Sequence, residues 1–160
     1  MSDAIWVINA SPLILLGKLG RTDLLEGLAS RIMVPDAVFR EVAAGMDDAS
    51  AAATLAWAQS RRVSDVDVPV SISAWDLGAG ESQVLAQSLA SRCVAVLDDG
   101  EARAAAKVHG VPLVGTLGII LRARRAGLVP AARPLVLRLL ESGSYLSTDL
   151  VREALAKVGE

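Results

Sequence analysis

Five oxygen-bearing side chains carry the chemistry that this sequence offers: Asn9, Glu41, Glu81, Asp98 and Asp99. Asn9 directly follows the apolar, partly β-branched run Ile5 to Ile8, and Asp98-Asp99-Gly100 directly follows the apolar run Cys93 to Leu97. Glu41 lies on a helical pattern opened by Pro35-Asp36, beside the inward-facing Val38 and Val42 and at the border of their stripe. Glu81 falls in the first turn of a helix that begins after Gly78 and Gly80. Carboxylates drawn to one place repel one another unless protons or cations neutralise them. A divalent cation does this well, because Mg²⁺ and Mn²⁺ take oxygen ligands, keep several waters, and leave room for a substrate phosphate.

Each of the five also has an ordinary structural explanation. Asn9 suits a turn after a strand, Glu41 suits a solvated helix face, and Glu81 complements the positive end of a helix dipole. Asp98 or Asp99 suits an N-cap. What favours a shared site is the element order. Short apolar strands at Ile5–Ile8, 31–34, 93–97 and 113–114 alternate with helical patterns, which predicts a parallel sheet covered on both faces. In such sheets polar residues gather outside the C-terminal ends of the strands, where all five can meet.

The elements between are read as follows. Ser11 caps and Pro12 opens a helical turn or two through Lys18, Thr22 caps a second short helix, and Gly45 stops the helix of Glu41. Helix propensity is high from Asp48 to Gln59, and 63–72 carries turn and strand signals round Pro69. Helices follow over 101–109, from Gly115-Thr116 through Arg125, over 130–141 and over 149–157. With 160 residues, 52% of them hydrophobic, one domain spanning 1–160 is expected.

Bulk properties narrow the function classes. The formal net charge of −2 means that any nucleic-acid contact rests on a local basic patch. Cys93 is the only cysteine, so there is no internal disulfide and no cysteine cluster for zinc, and a reducing cytoplasm fits. It begins an apolar strand and is read as core. His109, ending an alanine-rich helix, is read as a dipole or carbonyl partner. Five aromatic residues make base-stacking platforms an unexpected feature. The glycines form neither a dinucleotide fingerprint nor a P-loop. The aspartate pair comes too late in the chain, and without a suitable lysine, for a phosphoacceptor receiver.

Taken in order, Val7-Ile-Asn-Ala-Ser-Pro-Leu-Ile14, Val34-Pro-Asp-Ala-Val38 with Glu41, Leu77-Gly-Ala-Gly-Glu-Ser82, Leu97-Asp-Asp99 with Arg103, and Val114-Gly-Thr-Leu-Gly118 span nearly the whole chain. This ordered set resembles PIN-domain ribonucleases, most closely PIN-like proteins that often appear beside putative antitoxins. The resemblance implies a three-layer α/β/α fold with a central parallel sheet of four to five strands. It implies a Mg²⁺- or Mn²⁺-dependent endoribonuclease, the toxin of a type II toxin-antitoxin pair, with RNA as substrate and a cognate antitoxin as partner. By the same resemblance Asn9 stands where PIN nucleases normally bear aspartate, as is common in the PIN-like subgroup. It offers a carbonyl oxygen without the charge. Glu41, Glu81 and either or both of Asp98 and Asp99 correspond to the other metal ligands, and Ser11 to a small hydroxyl residue near the first. Thr116 is expected to bond a ligand or cap its helix. Arg103, Arg122, Arg124 and Arg125 are candidates for backbone phosphate. The implied reaction is hydrolysis of an RNA phosphodiester, and the alternative is a non-catalytic scaffold that binds protein or RNA. The leucine-rich stretch from Leu13 to Leu28 points to a partner surface and a homodimer.

Overall fold

The computed structural model describes residues 3–160. Its sheet has five strands, all parallel, in the order β3-β2-β1-β4-β5. They are β1 Ile5–Ile8, β2 Arg31–Pro35, β3 Arg62–Val63, β4 Val94–Val96 and β5 Leu113–Val114. The central strand β1 pairs Val7 with Met33 on one side and with Ala95 on the other. Trp6, Val7 and Ile8 are buried, as expected of a parallel strand covered on both faces. The chain runs outward from β1 through β2 to β3, then crosses back to lay β4 on the opposite side of β1. That reversal makes a crevice at the C-terminal ends of β1 and β4, the usual ligand position in open α/β sheets. Asn9 directly follows β1, and Asp98 lies two residues beyond β4.

The helices are α1 Ala10–Leu19, α2 Asp23–Leu28, α3 Asp36–Gly45, α4 Ala51–Gln59, the short α5 Val70–Ser73, α6 Ala79–Ser91, α7 Gly100–Val108, α8 Thr116–Arg125, α9 Arg133–Glu141 and α10 Thr148–Ala156. They flank the sheet to complete the expected α/β architecture, and no described helix is long and apolar enough to cross a membrane.

Local signals misplace some boundaries. Helix α1 starts at Ala10, so its N-cap is Asn9, not Ser11. Pro12 still lies in the first turn, where its missing N–H leaves no helical bond unmade. Thr22 occupies the cap of α2 but has helical backbone angles and makes no side-chain cap bond. Strand β4 covers three residues, with Cys93 and Leu97 flanking it. The 63–72 segment contributes only the end of β3 before a loop and α5. Helix α9 starts at Arg133, because the Glu160 carboxylate accepts the amides of Ala132 (2.7 Å) and Arg133 (3.0 Å) from 28 and 27 residues away. Those amide bonds, with Arg124 and Arg133 nearby, hold the Glu160 carboxyl below the usual glutamate range.

The leucines expected to form a partner surface lie largely inside. Leu13, Leu16, Leu19, Leu24 and Leu25 are buried in the chain's own core, where α1 packs on α3, α4, α8 and α9, and α2 on α8. Those five leucines are therefore not available as the expected dimer face.

Helix α3, which carries Glu41, has Pro35 at its cap and no side-chain cap bond of its own. Asp65, just beyond β3, performs this task by accepting the Ala37 amide at 3.0 Å while pairing with Arg40 at 3.3 Å. Asp65→Ala is expected to lower stability by about 0.5–2 kcal/mol in denaturant titration. Asp67→Ala, at a nearby exposed position, should fall within about 0.5 kcal/mol of the unmodified protein.

Candidate functional site

Four helices begin at the edge where the crevice opens. Helix α1 starts after Asn9, α6 carries Glu81 in its first turn, α7 starts after Asp99, and α8 starts at Thr116 beside Asp98. Unpaired amides and the positive ends of helix dipoles favour negative side chains there.

The acids use those amides. Asp98 is bound twice by Thr116: its Oδ1 accepts the Thr116 amide at 2.8 Å, and its Oδ2 accepts the hydroxyl at 2.6 Å. Thr116 is almost wholly buried, so its hydroxyl holds a carboxylate instead of capping its helix. Asp99 is the N-cap of α7, its Oδ2 accepting the Ala102 amide at 2.9 Å. Glu41 reaches from α3 to the start of α6, where its Oε1 accepts the Gly80 amide at 2.9 Å. A Cβ on residue 80 would stand 2.7 Å from that oxygen, so a side chain there would force the Glu41 carboxylate to shift. Gly115 is similarly placed, since a Cβ there would meet Arg103 Nη1 at 2.9 Å and Asp98 Oδ1 at 3.0 Å and press on both side chains. Arg103 donates from Nη1 to the Leu97 carbonyl at 2.9 Å, which ties α7 to the end of β4.

Asn9 differs from the acids. Its side chain is buried, and Oδ1 has no hydrogen-bond partner. A buried amide oxygen left unsatisfied costs about 1–3 kcal/mol, and such an orphan in a crevice fits an oxygen-seeking cation.

The five residues line two adjoining depressions. The larger, about 1010 Å³, is bounded by Asn9, Ser11, Glu81, Asp98, Asp99 and Arg103 along its acidic side. The smaller, about 330 Å³, takes in Asn9, Ser11, Glu41 and Glu81. Asn9 and Glu81 are common to both, whereas Glu41 stands on one side and the aspartates on the other. Among the described residues no three carboxylate, histidine or cysteine side chains are close enough to form a ready cation cage. In donor chemistry the set fits a hard divalent ion: one unpartnered amide oxygen, with carboxylates lining the two depressions it borders. For one ion to be shared, Glu41 and Asp98, which line different depressions, would have to move closer together.

A family model described as DUF3368, PIN domain, matches residues 5–160. The chain belongs to that family. No curated protein matches it. Among solved structures, one chain from the crystal structure of VapBC2 from Rickettsia felis bound to a DNA fragment from their promoter is similar at 10% identity and a TM-score of 0.46, over 69% of this chain and 98% of that one.

The remaining predicted residues separate clearly in this PIN domain. Arg122 is exposed on the wall of the larger cleft, its guanidinium 5.9 Å from the centre of the Trp6 ring. Arg124 is paired with Glu160 at 3.5 Å, and Arg125 is exposed and outside the cleft lining. His109 Nδ1 lies 2.9 Å from the Ala105 carbonyl, which makes it a helix-end partner. Cys93 is buried, and burial pushes its thiol above the ordinary cysteine range. Sequence reasoning missed part of the cleft lining, where Tyr145 and Leu146 arrive from the loop after α9, and Leu150 and Lys157 from α10 and its C-cap. Nothing in their local pattern marks them as neighbours of Asp98.

Thr116→Val leaves one Asp98 oxygen without its donor. It should lower stability by about 1–3 kcal/mol, read by thermal or denaturant unfolding. Thr116→Ser keeps the hydroxyl donor to Asp98 and should recover the greater part of that loss.

Proposed function

We propose that this PIN domain hydrolyses RNA phosphodiester bonds with Mg²⁺ or Mn²⁺, acting as the toxin of a toxin-antitoxin pair. The observation that supports it best is the unpartnered, buried Asn9 Oδ1, set between two acid-lined depressions at the point where the sheet order reverses. Asn9, Glu41, Glu81, Asp98 and Asp99 are the residues that would hold the ion. A cation there supplies polarisation of a phosphoryl oxygen and a water of lowered pKa.

The chain's own residues divide the remaining work. Arg103 and Arg122, which both line the larger cleft, bind backbone phosphate, since guanidinium pairs with phosphate oxygens in a bidentate manner. Ser11, exposed beside Asn9, offers a hydroxyl to the same phosphate. Thr116 is a positioning residue, because its hydroxyl and amide fix the Asp98 carboxylate. The antitoxin assignment is supported by the sequence resemblance to the PIN-like subgroup that accompanies such partners.

A non-catalytic scaffold is the second reading. It is favoured by the neutral Asn9 and by the division of the acids between two depressions.

Labelled RNA incubated with Mn²⁺ or Mg²⁺ separates the two readings. Hydrolysis expects cleavage that chelator stops and that the Glu81→Gln, Asp99→Asn double variant lacks. The scaffold expects neither cleavage nor a metal-induced rise in Tm. Asn9→Asp puts a charge where the amide oxygen now has no partner, so without metal it should lower stability by about 1–3 kcal/mol or more. Added Mn²⁺ should then raise the Tm of the variant more than that of the unmodified protein.

A further inference from the structure

The far wall of the larger cleft holds an aromatic residue of unusual placement. Tyr145 is fully exposed (102%) yet borders the same cleft as Asp98 and Asp99. The other aromatic side chains are packed: Trp6 is buried, and Phe39, Trp57 and Trp75 lie partly buried against the core. Arg61 covers Trp57 and Arg62 covers Phe39, at 4.1 and 4.2 Å from the ring centres. An aromatic ring left wholly in water contributes nothing to the core, so the position calls for another explanation.

The loop that presents Tyr145 is held at both ends. Gly143 donates its amide to Leu140 at 3.2 Å, and Ser147 caps α10 by accepting the Leu150 amide at 3.1 Å. Leu146, next in sequence, packs against the core. A ring presented on a pinned loop loses little conformational entropy when a ligand covers it. Arg122 and Lys157 border the same wall, both exposed. The same cleft is also lined by Glu81, Asp98 and Asp99.

We propose that Tyr145 is a substrate-binding residue on which one unpaired nucleobase stacks, with Arg122 and Lys157 receiving the flanking phosphates. The strand then runs from the tyrosine toward the acidic side. The proposal rests on the ribonuclease reading and adds to it a requirement for a single-stranded position beside the scissile bond. It departs from the expectation that so few aromatics leave no stacking surface: one exposed ring is enough for one base. A docked amphipathic helix fits the wall less well. Leu121 and Leu139 in it are already buried, which leaves Tyr145 and the partly exposed Leu150 as its large exposed apolar side chains.

Anisotropy of a labelled single-stranded RNA of about six nucleotides, measured with chelator present so that no bond is cut, tests the proposal. Tyr145→Ala should weaken binding roughly five- to a hundredfold. Tyr145→Phe, which keeps the ring, should stay within about twofold. A duplex of the same sequence should bind the unmodified protein and Tyr145→Ala alike, because its bases are already stacked. Single-strand binding unchanged in Tyr145→Ala overturns the proposal, as does a Tyr145→Phe loss equal to that of alanine. Binding that falls with Leu150→Ala but not with Tyr145→Ala assigns the wall to an apolar partner and overturns it too. The same variants with Mn²⁺ separate this idea from the hydrolysis reading. Cleavage with an unchanged KM in Tyr145→Ala removes the stacking role and leaves the nuclease. Tyrosine-dependent binding without any cleavage removes the nuclease and leaves the stacking surface.

Discussion

Negative side chains gathered at one sheet edge must be held against their mutual repulsion, and in this chain the starts of helices do much of that work. Asp98 draws on the first amide and hydroxyl of α8, Asp99 caps α7, and Glu41 crosses to the first turn of α6. Each bond satisfies an amide that has no partner within its own helix and places a carboxylate at the positive end of a dipole. The same bonds join α3 to α6 and the end of β4 to α8, so the acids organise the fold at the edge where they collect.

That arrangement gives Asn9 its meaning. The cap position of α1 could itself use a side-chain bond, as Asp99 does for α7, yet Asn9 makes none. Its oxygen is enclosed and without a partner, while Glu41, Asp98 and Asp99 are each bonded to a helix amide. A neutral amide also lowers the crowding of charge at the central strand, where a further carboxylate would be hardest to compensate without a cation. The price is a weaker pull on any ion, which is why the balance between nuclease and scaffold turns on this residue.

Much of the fold was legible in the sequence because parallel strands buried on both faces read as continuous apolar runs. Ile5–Ile8 is the clearest case, matching β1 residue for residue. The placement of Asn9 and of the Asp98-Asp99 pair beyond strands, and of Glu81 in a first turn, followed from the same pattern. What stayed hidden was set by distant residues. The start of α9 depends on Glu160, that of α3 on Asp65, and the roles of Gly80 and Gly115 on side chains from other elements. The leucines of α1 and α2 seemed available for a partner because local sequence does not show how many helices will cover them. Division of the acids between two depressions could not be read either, since it depends on side-chain direction and not on element order.

The central claim is that these oxygens share one cation, and its position is the most direct test. Crystals soaked in Mn²⁺ and measured near the manganese absorption edge would locate the ion by anomalous scattering. The account predicts a peak within bonding distance of Asn9 Oδ1 and of at least two among Glu41, Glu81, Asp98 and Asp99. A map without a peak there at saturating Mn²⁺, or with manganese bound only elsewhere on the surface, would contradict it.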